Sequence, residues 1–183
     1  MTSQDAIDLL IHDHRTVDGL FEEYETLDGG TDARKRDLVD QMIQELSIHA
    51  AIEEQLLYPF IRNEVPGGGT LADEGLHEHQ EAKGLLDNLE RMQPGESGFD
   101  QTVKTLINAI RHHVEEEETE FFPALRQAAT PDQLMALGAR LAAAKKVAPT
   151  HPHPKAPDTP PGNIVAGAAA AVVDKVRDAL KRD

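Results

Sequence analysis

His49-Ala-Ala-Ile-Glu53-Glu54-Gln-Leu-Leu-Tyr58-Pro59 and, 64 residues further on, His113-Val-Glu-Glu-Glu117-Glu118-Thr-Glu-Phe-Phe122-Pro123 are the stretches that decide how this chain folds. In an α-helix, residues four apart share a face about 6 Å apart along the axis, so His49 with Glu53 and His113 with Glu117 each set an imidazole beside a carboxylate. The surrounding apolar stripe fixes where the pair points. Leu38, Met42, Leu46, Leu56 and Phe60 run in phase with His49 and Glu53, as do Val103, Leu106, Ile110, Phe121 and Ala124 with His113 and Glu117. Both pairs therefore face a core.

The repeated unit is wider than these pairs. His14 precedes His49 by 35 residues and His79 precedes His113 by 34, while Ile11-His12-Asp13-His14-Arg15 aligns with Leu76-His77-Glu78-His79-Gln80, Gly19-Leu20 with Gly84-Leu85, and Ile61-Arg62 with Leu125-Arg126. His14 shares an inward face with Ile7, Leu10, Val17 and Phe21, and His79 shares one with Leu76, Leu86 and Leu89. His12 and His77 lie two residues earlier, on the far side of the helix, where they meet solvent or an acid outside the ligand set.

Apolar spacing is helical throughout and nowhere alternates over a strand's length, so the first 128 residues read as four helices. Breaks fall at Asp28-Gly-Gly-Thr-Asp32, Pro66-Gly-Gly-Gly-Thr70 and Gln93-Pro-Gly-Glu-Ser-Gly98, each short enough to join antiparallel neighbours. The expectation is an all-α, up-down-up-down four-helix bundle over residues 1–128 with a C-terminal helical extension. Residues 129–147 read as a short helix packing on the bundle, started by Thr130-Pro131-Asp132 and carrying Leu134, Leu137 and Leu141. Residues 148–183 read as a proline-rich, extended spacer rather than a packed segment, followed by an Ala-rich terminal helix with Val165, Ala169, Val172, Val176 and Leu180 near one face. Within the spacer, His151-Pro-His153-Pro is an isolated His-x-His of little metal specificity.

Size and charge narrow the function. A chain of 183 residues holds one ordinary domain and a tail. With 18 Lys and Arg against 33 Asp and Glu, the formal charge of −15 disfavours nucleic acid and anionic membrane surfaces, which need clustered cations. There is no cysteine, so any metal is held by nitrogen and oxygen. An acidic start without the blocks of a signal peptide, and no apolar run long enough for a bilayer, point to a soluble cytoplasmic protein.

Four imidazoles (His14, His49, His79, His113) and two carboxylates (Glu53, Glu117) thus converge on one level of the bundle, where a bare carboxylate costs several kcal/mol. Two divalent ions bridged by Glu53 and Glu117, one capped by His14 and His49 and the other by His79 and His113, satisfy every group and leave open coordination positions. Iron, zinc, manganese and cobalt all suit such mixed ligation. Glu54 and Glu118 fall outside the ligand set but within reach of a ligating imidazole. His112 with Glu116 has the same spacing in the wrong phase and reads as surface. Tyr58, five residues after Glu53, approaches the centre or packs. Pro59 and Pro123 each remove a helical hydrogen bond and should bend or loosen their helices just beyond the site.

The arrangement His, His-x3-Glu, His, His-x3-Glu, with a second Glu and then Tyr-Pro or Phe-Pro following, resembles the hemerythrin-like (HHE cation-binding) family over residues from about 5 to 128. It is unlike ferritin-type di-iron bundles, which use Glu-x-x-His and more carboxylates. The resemblance implies a four-helix bundle around a non-heme, carboxylate-bridged pair of iron ions, with His14, His49, Glu53, His79, His113 and Glu117 at the ligand positions and zinc or manganese as possible substitutes. It also implies oxygen binding, oxygen or iron sensing, or handling of peroxide or nitric oxide. Oxygen-carrying members place another histidine four residues after the first ligand of the third helix; here that residue is Lys83, and Glu117 stands for an aspartate bridge. This departure turns the expectation towards redox chemistry on a peroxide or a small diatomic molecule, with a protein partner for the C-terminal tail as a further expectation.

Overall fold

Asp5 accepts the Asp8 N–H at 2.9 Å and so satisfies a donor that helix geometry leaves unpaired, starting α1 (Ala6–Thr26). The second rod of the bundle is α2 (Asp32–Ile52), a π turn π1 (Glu53–Leu57) and α3 (Tyr58–Glu64); the third is α4 (Gly68–Arg91); the fourth is α5 (Phe99–Glu116), a second π turn π2 (Glu117–Phe121) and α6 (Phe122–Ala128). Gly67, Gly95 and Gly98 turn the chain between rods at φ of 76°, 87° and 91°, a region that favours glycine. This computed structural model describes residues 4–27 and 32–180, without the side chains of Ile164, Val165 and Leu180. The break expected at Asp28–Asp32 therefore lies mostly outside the described residues. The expected all-α, up-down-up-down bundle is what the structure shows, with no strand among the described residues.

Each π turn has a cause in the sequence. Pro59 and Pro123 have no N–H to offer the carbonyls four residues back, and the backbone instead closes wider turns, Tyr58 N–H to Glu53 O and Phe122 N–H to Glu117 O. The loosening was expected just beyond the site; it starts at the two glutamates themselves. The extra residue in the turn rotates the remainder of the rod, so that Tyr58 comes onto nearly the same inward face as Glu53.

Burial splits into two apolar clusters with the histidine and glutamate layer between them. One is built around Phe21, Met42, Leu86, Phe99 and Leu106, the other around Leu10, Leu57, Ile61, Phe121, Leu125 and Leu137. Helix α7 (Pro131–Lys145) starts with a reciprocal cap between Thr130 and Gln133 and lays Leu134, Leu137 and Leu141 on the α1–α2 side. Gly138 permits the approach: a Cβ there would sit 2.6 Å from the Gln4 carbonyl.

The tail departs from expectation twice. The spacer after α7 is packed: Ala148 and His151 are buried, and the Pro154 carbonyl accepts from Gln80 at 2.8 Å. Its anchors are polar, because Asp174 accepts from the Thr150 and His151 N–H groups and from His153 Nε2 at 3.1 Å, while Asp178 takes His151 Nε2 at 2.8 Å and Glu90 faces His151 Nδ1. In α8 (Gly162–Leu180) the apolar stripe does not face inward: Val172 and Val176 are exposed, and the buried side carries Asn163, Ala171 and Asp174. The residues Val165 and Leu180 of that stripe have side chains outside the described set. Hydrogen-bonding groups rather than valines seat this helix on the bundle.

Candidate metal centre

All six residues singled out in the sequence are buried and face one another. Glu53 and Glu117 are completely inaccessible, and the four histidines are nearly so. His49 Nε2 lies 3.2 Å and His79 Nε2 3.3 Å from Glu53 Oε2; His14 Nε2 lies 3.2 Å and His113 Nε2 3.7 Å from Glu117 Oε2. The rings pair as expected, His14 with His49 at a centroid distance of 5.0 Å and His79 with His113 at 4.8 Å.

These contacts fit a metal better than hydrogen bonds. His14 Nε2, His49 Nε2, both oxygens of Glu53 and Glu117 Oε2 are buried with no hydrogen-bond partner. Two donors about 2.1 Å from one ion and bonded at a right or tetrahedral angle are about 3.0–3.4 Å apart, the spacing found here. The donor atoms form two groups able to hold an ion, His14 with His49, Glu53 and Glu117, and Glu53 with His79 and His113. Glu53 is common to both. Glu117 enters only the first, since its Oε1 accepts from the Tyr58 hydroxyl at 3.2 Å.

The outer nitrogens show a rule that sequence reading missed in half its members. His14 Nδ1 is 2.9 Å from Glu118, His79 Nδ1 3.1 Å from Glu54, His113 Nδ1 2.7 Å from Glu78 and His49 Nδ1 3.8 Å from Asp13. Each rod's acid serves the histidine of the next rod, closing a ring around the bundle. An ionised carboxylate accepts only, so Nδ1 carries the proton and Nε2 keeps its lone pair for the centre, the arrangement usual for metal-ligating histidine. Glu54 and Glu118 were foreseen in this role. Asp13 and Glu78 were not, although the signal was present, since they align with each other one residue before His14 and His79.

Electrostatics separate the two glutamates. Burial, then the neighbouring Glu117 and Asp13, push the Glu53 carboxyl well above its usual range. Burial acts on Glu117 in the same direction, but His113, His14 and His49 overcome it and hold that group below the usual range. Burial lowers His49 to about 4. His79 also falls, mainly through burial, whereas Glu117 and Glu78 outweigh burial at His113 and raise it. The metal-free layer thus carries an unresolved conflict of charge that bound cations remove.

Tyr58, fully buried, also reaches His79 Nε2 at 3.0 Å, and Gly75 makes room for it, since a Cβ there would lie 2.7 Å from its hydroxyl. Its repeat partner Phe122 instead stacks on His14, at 5.8 Å and 9°. Lys83 binds both oxygens of Glu54, at 2.6 and 2.7 Å. Above the layer a cavity of about 20 Å³ is lined by the four histidines, Lys83 and the apolar Val17, Leu46, Leu86 and Ile110. His12 and His77 are exposed, as expected, and His112 is too.

A sequence model of the Hemerythrin HHE cation binding domain matches residues 5–125. An uncharacterized hemerythrin-like protein of Schizosaccharomyces pombe is 30% identical over 176 residues, which cover 96% of this chain and 86% of that protein. A protein named DNA nickase from Nostoc sp. is 32% identical over 146 residues, 79% of this chain but only 39% of that protein's length. The crystal structure of a hemerythrin HHE cation binding domain-containing protein from Mycobacterium kansasii matches with a TM-score of 0.68 and 25% identity, over 78% of this chain and 86% of that one.

Proposed function

This chain belongs to the hemerythrin HHE cation-binding family, whose domains bind metal ions, and from that membership we propose that it is a non-heme di-iron protein that reduces or disproportionates a small oxidant: peroxide, nitric oxide or dioxygen. His14, His49, Glu53, His79, His113 and Glu117 would hold the two ions, with zinc or manganese as substitutes. The iron would supply electrons and open coordination positions for the oxidant. The carrying observation is the conjunction of partnerless ligand atoms with a cavity of about 20 Å³ directly above them, room for one water-sized molecule and no larger substrate.

The chain's own groups suit proton-coupled chemistry there. Burial, then Glu117, Glu53 and Glu54, push the Tyr58 phenol well above its ordinary value, so it stays protonated and donates into the centre. Glu54, held below its ordinary range by His79 and Lys83 despite burial, remains an acceptor for the His79 N–H. Lys83, on the cavity wall, keeps a cation and three protons beside the layer. The apolar residues of the cavity exclude bulk water.

A second reading is a sensor or carrier without turnover. Two contacts favour it: Lys145 of α7 binds Asp13 Oδ1, and Asn163 of α8 donates to the Glu54 carbonyl at 3.1 Å, so the C-terminal extension touches two of the acids that orient ligands. A charge of −15 argues against carrying over the nicking of DNA. The test is to load the protein with ferrous iron, follow near-ultraviolet charge-transfer absorption, and add peroxide or nitric oxide. Consumption of many equivalents per chain is expected; one reversible equivalent would indicate the carrier, and an iron-free, unresponsive protein would overturn both.

A further inference from the structure

The six inner ligands are sealed within the bundle, and an ion must reach them by some path. On the face formed by α4 and α5, His112 Nε2 stands 3.4 Å from Glu116 Oε1 and 3.9 Å from Glu78 Oε1, three donor atoms close enough to share one cation. The His112 side chain is 64% exposed, while Glu116 Oε2 is buried without a hydrogen-bond partner. Among the described residues no lysine or arginine pairs with Glu78 or Glu116. A cavity of about 90 Å³ is lined by His112 and Glu78 at its outer end and by the buried His113 and His79 at its inner end. Glu78 belongs to both places, for its Oε2 holds His113 Nδ1 at 2.7 Å.

The other half of the repeat has nothing comparable. The positions matching His112 and Glu116 are Ile48 and Ile52, both buried in the cluster that includes Leu137 and Leu141 of α7. The repeat has thus kept its ligands twice but carries a polar approach on one side only.

We propose that His112, Glu116 and Glu78 form an outer landing site for a divalent metal ion, from which the ion passes along the adjoining cavity to His79 and His113. One imidazole and two carboxylates suit a hydrated ferrous, zinc or manganous ion, and carboxylates exchange for water stepwise. The local negative charge concentrates cations at the mouth. The inference rests on the reading that the inner six residues bind metal, and the experiment separates the two.

The metal-free full-length chain is mixed with cobalt(II) in a stopped-flow instrument, and the visible absorption of the inner site is followed to completion in wild type, His112→Ala, Glu116→Gln and the control Glu115→Gln. Glu115 is exposed and adjacent but outside the cluster. Uptake at low micromolar cobalt is expected to slow about tenfold in the first two variants and to stay unchanged in the control, with the same cobalt bound per chain at the end in all four. Equal rates in all proteins, or an equal slowing by Glu115→Gln, would overturn the landing site while leaving the inner site standing. Failure of the wild type to take up cobalt would overturn both.

Discussion

Around His79 and His113 the centre meets the Tyr58 hydroxyl, the Lys83–Glu54 pair and the open face that carries His112; around His14 and His49 it meets the Phe122 ring and, through Asp13 and Lys145, helix α7. The ligands themselves obey the repeat. Their surroundings do not, and the divergence sorts polar, proton-bearing groups to one side and an apolar, covered wall to the other. A layer that merely held metal would gain nothing from this sorting, whereas a centre that takes protons and electrons to one small molecule needs a wet side and an insulated one.

The largest expected effect tests the features that the halves share. His49→Ala and His113→Ala should each strip metal and destabilise the fold by about 3–5 kcal/mol, because Glu53 and Glu117 are left buried without enough counter-charge. His112→Ala should leave final metal content and melting temperature near wild type. Elemental analysis and thermal unfolding check this, and similar losses from His112 and His113 would mean that the inward phase is wrong.

Acid should then distinguish the halves in the metal-free protein. His49 is depressed from 6.5 to about 4, so the unfolded chain binds the extra proton first; its contribution, about 3 kcal/mol, is present above pH 6.5 and is lost as pH falls towards 4. His113 is raised, so its contribution is present below 6.5 and is lost as pH rises through its folded value. Denaturant titrations between pH 4 and 8 should show His49→Gln flattening the acid limb and His113→Gln the neutral one. Two variants with the same pH profile would erase the comparison.

Tyr58→Phe is expected to keep both ions and to lower oxidant consumption about 100-fold, the scale of a lost proton donor. The mirror change Phe122→Tyr should add no activity and cost about 1–3 kcal/mol, since it buries a hydroxyl against His14 without a partner. Steady-state consumption and iron content decide both. The smallest effect is expected from Lys145→Met, about 1 kcal/mol of stability and a weaker hold on metal, because the Lys145 end of its pair with Asp13 is partly solvated.

The sequence made the bundle and its six inward groups legible because helical phase and a 64- or 65-residue repeat are one-dimensional signals. The family resemblance, carried by the same residues, agrees with the match over residues 5–125. Tyr58 was only one of several possibilities, since its place depends on a π turn that Pro59 permits but does not dictate. The ring of orienting acids was half visible; Asp13 and Glu78 act across to the next helix, which no spacing along a single helix reveals. The tail was misread because its valines suggested an inward face, while the contacts that seat it are between Asp174, Asp178, Glu90 and the spacer's histidines, groups that look like solvated charge in a linear chain.

The central claim is that Glu53 joins two metal positions inside one bundle. Iron should therefore be counted per chain in the reconstituted wild type and in Glu53→Ala. The account predicts two ions in the first and almost none in the second, because one side chain faces both groups of ligands. A wild type that takes up no iron, or a Glu53→Ala protein that still binds two ions, would contradict it.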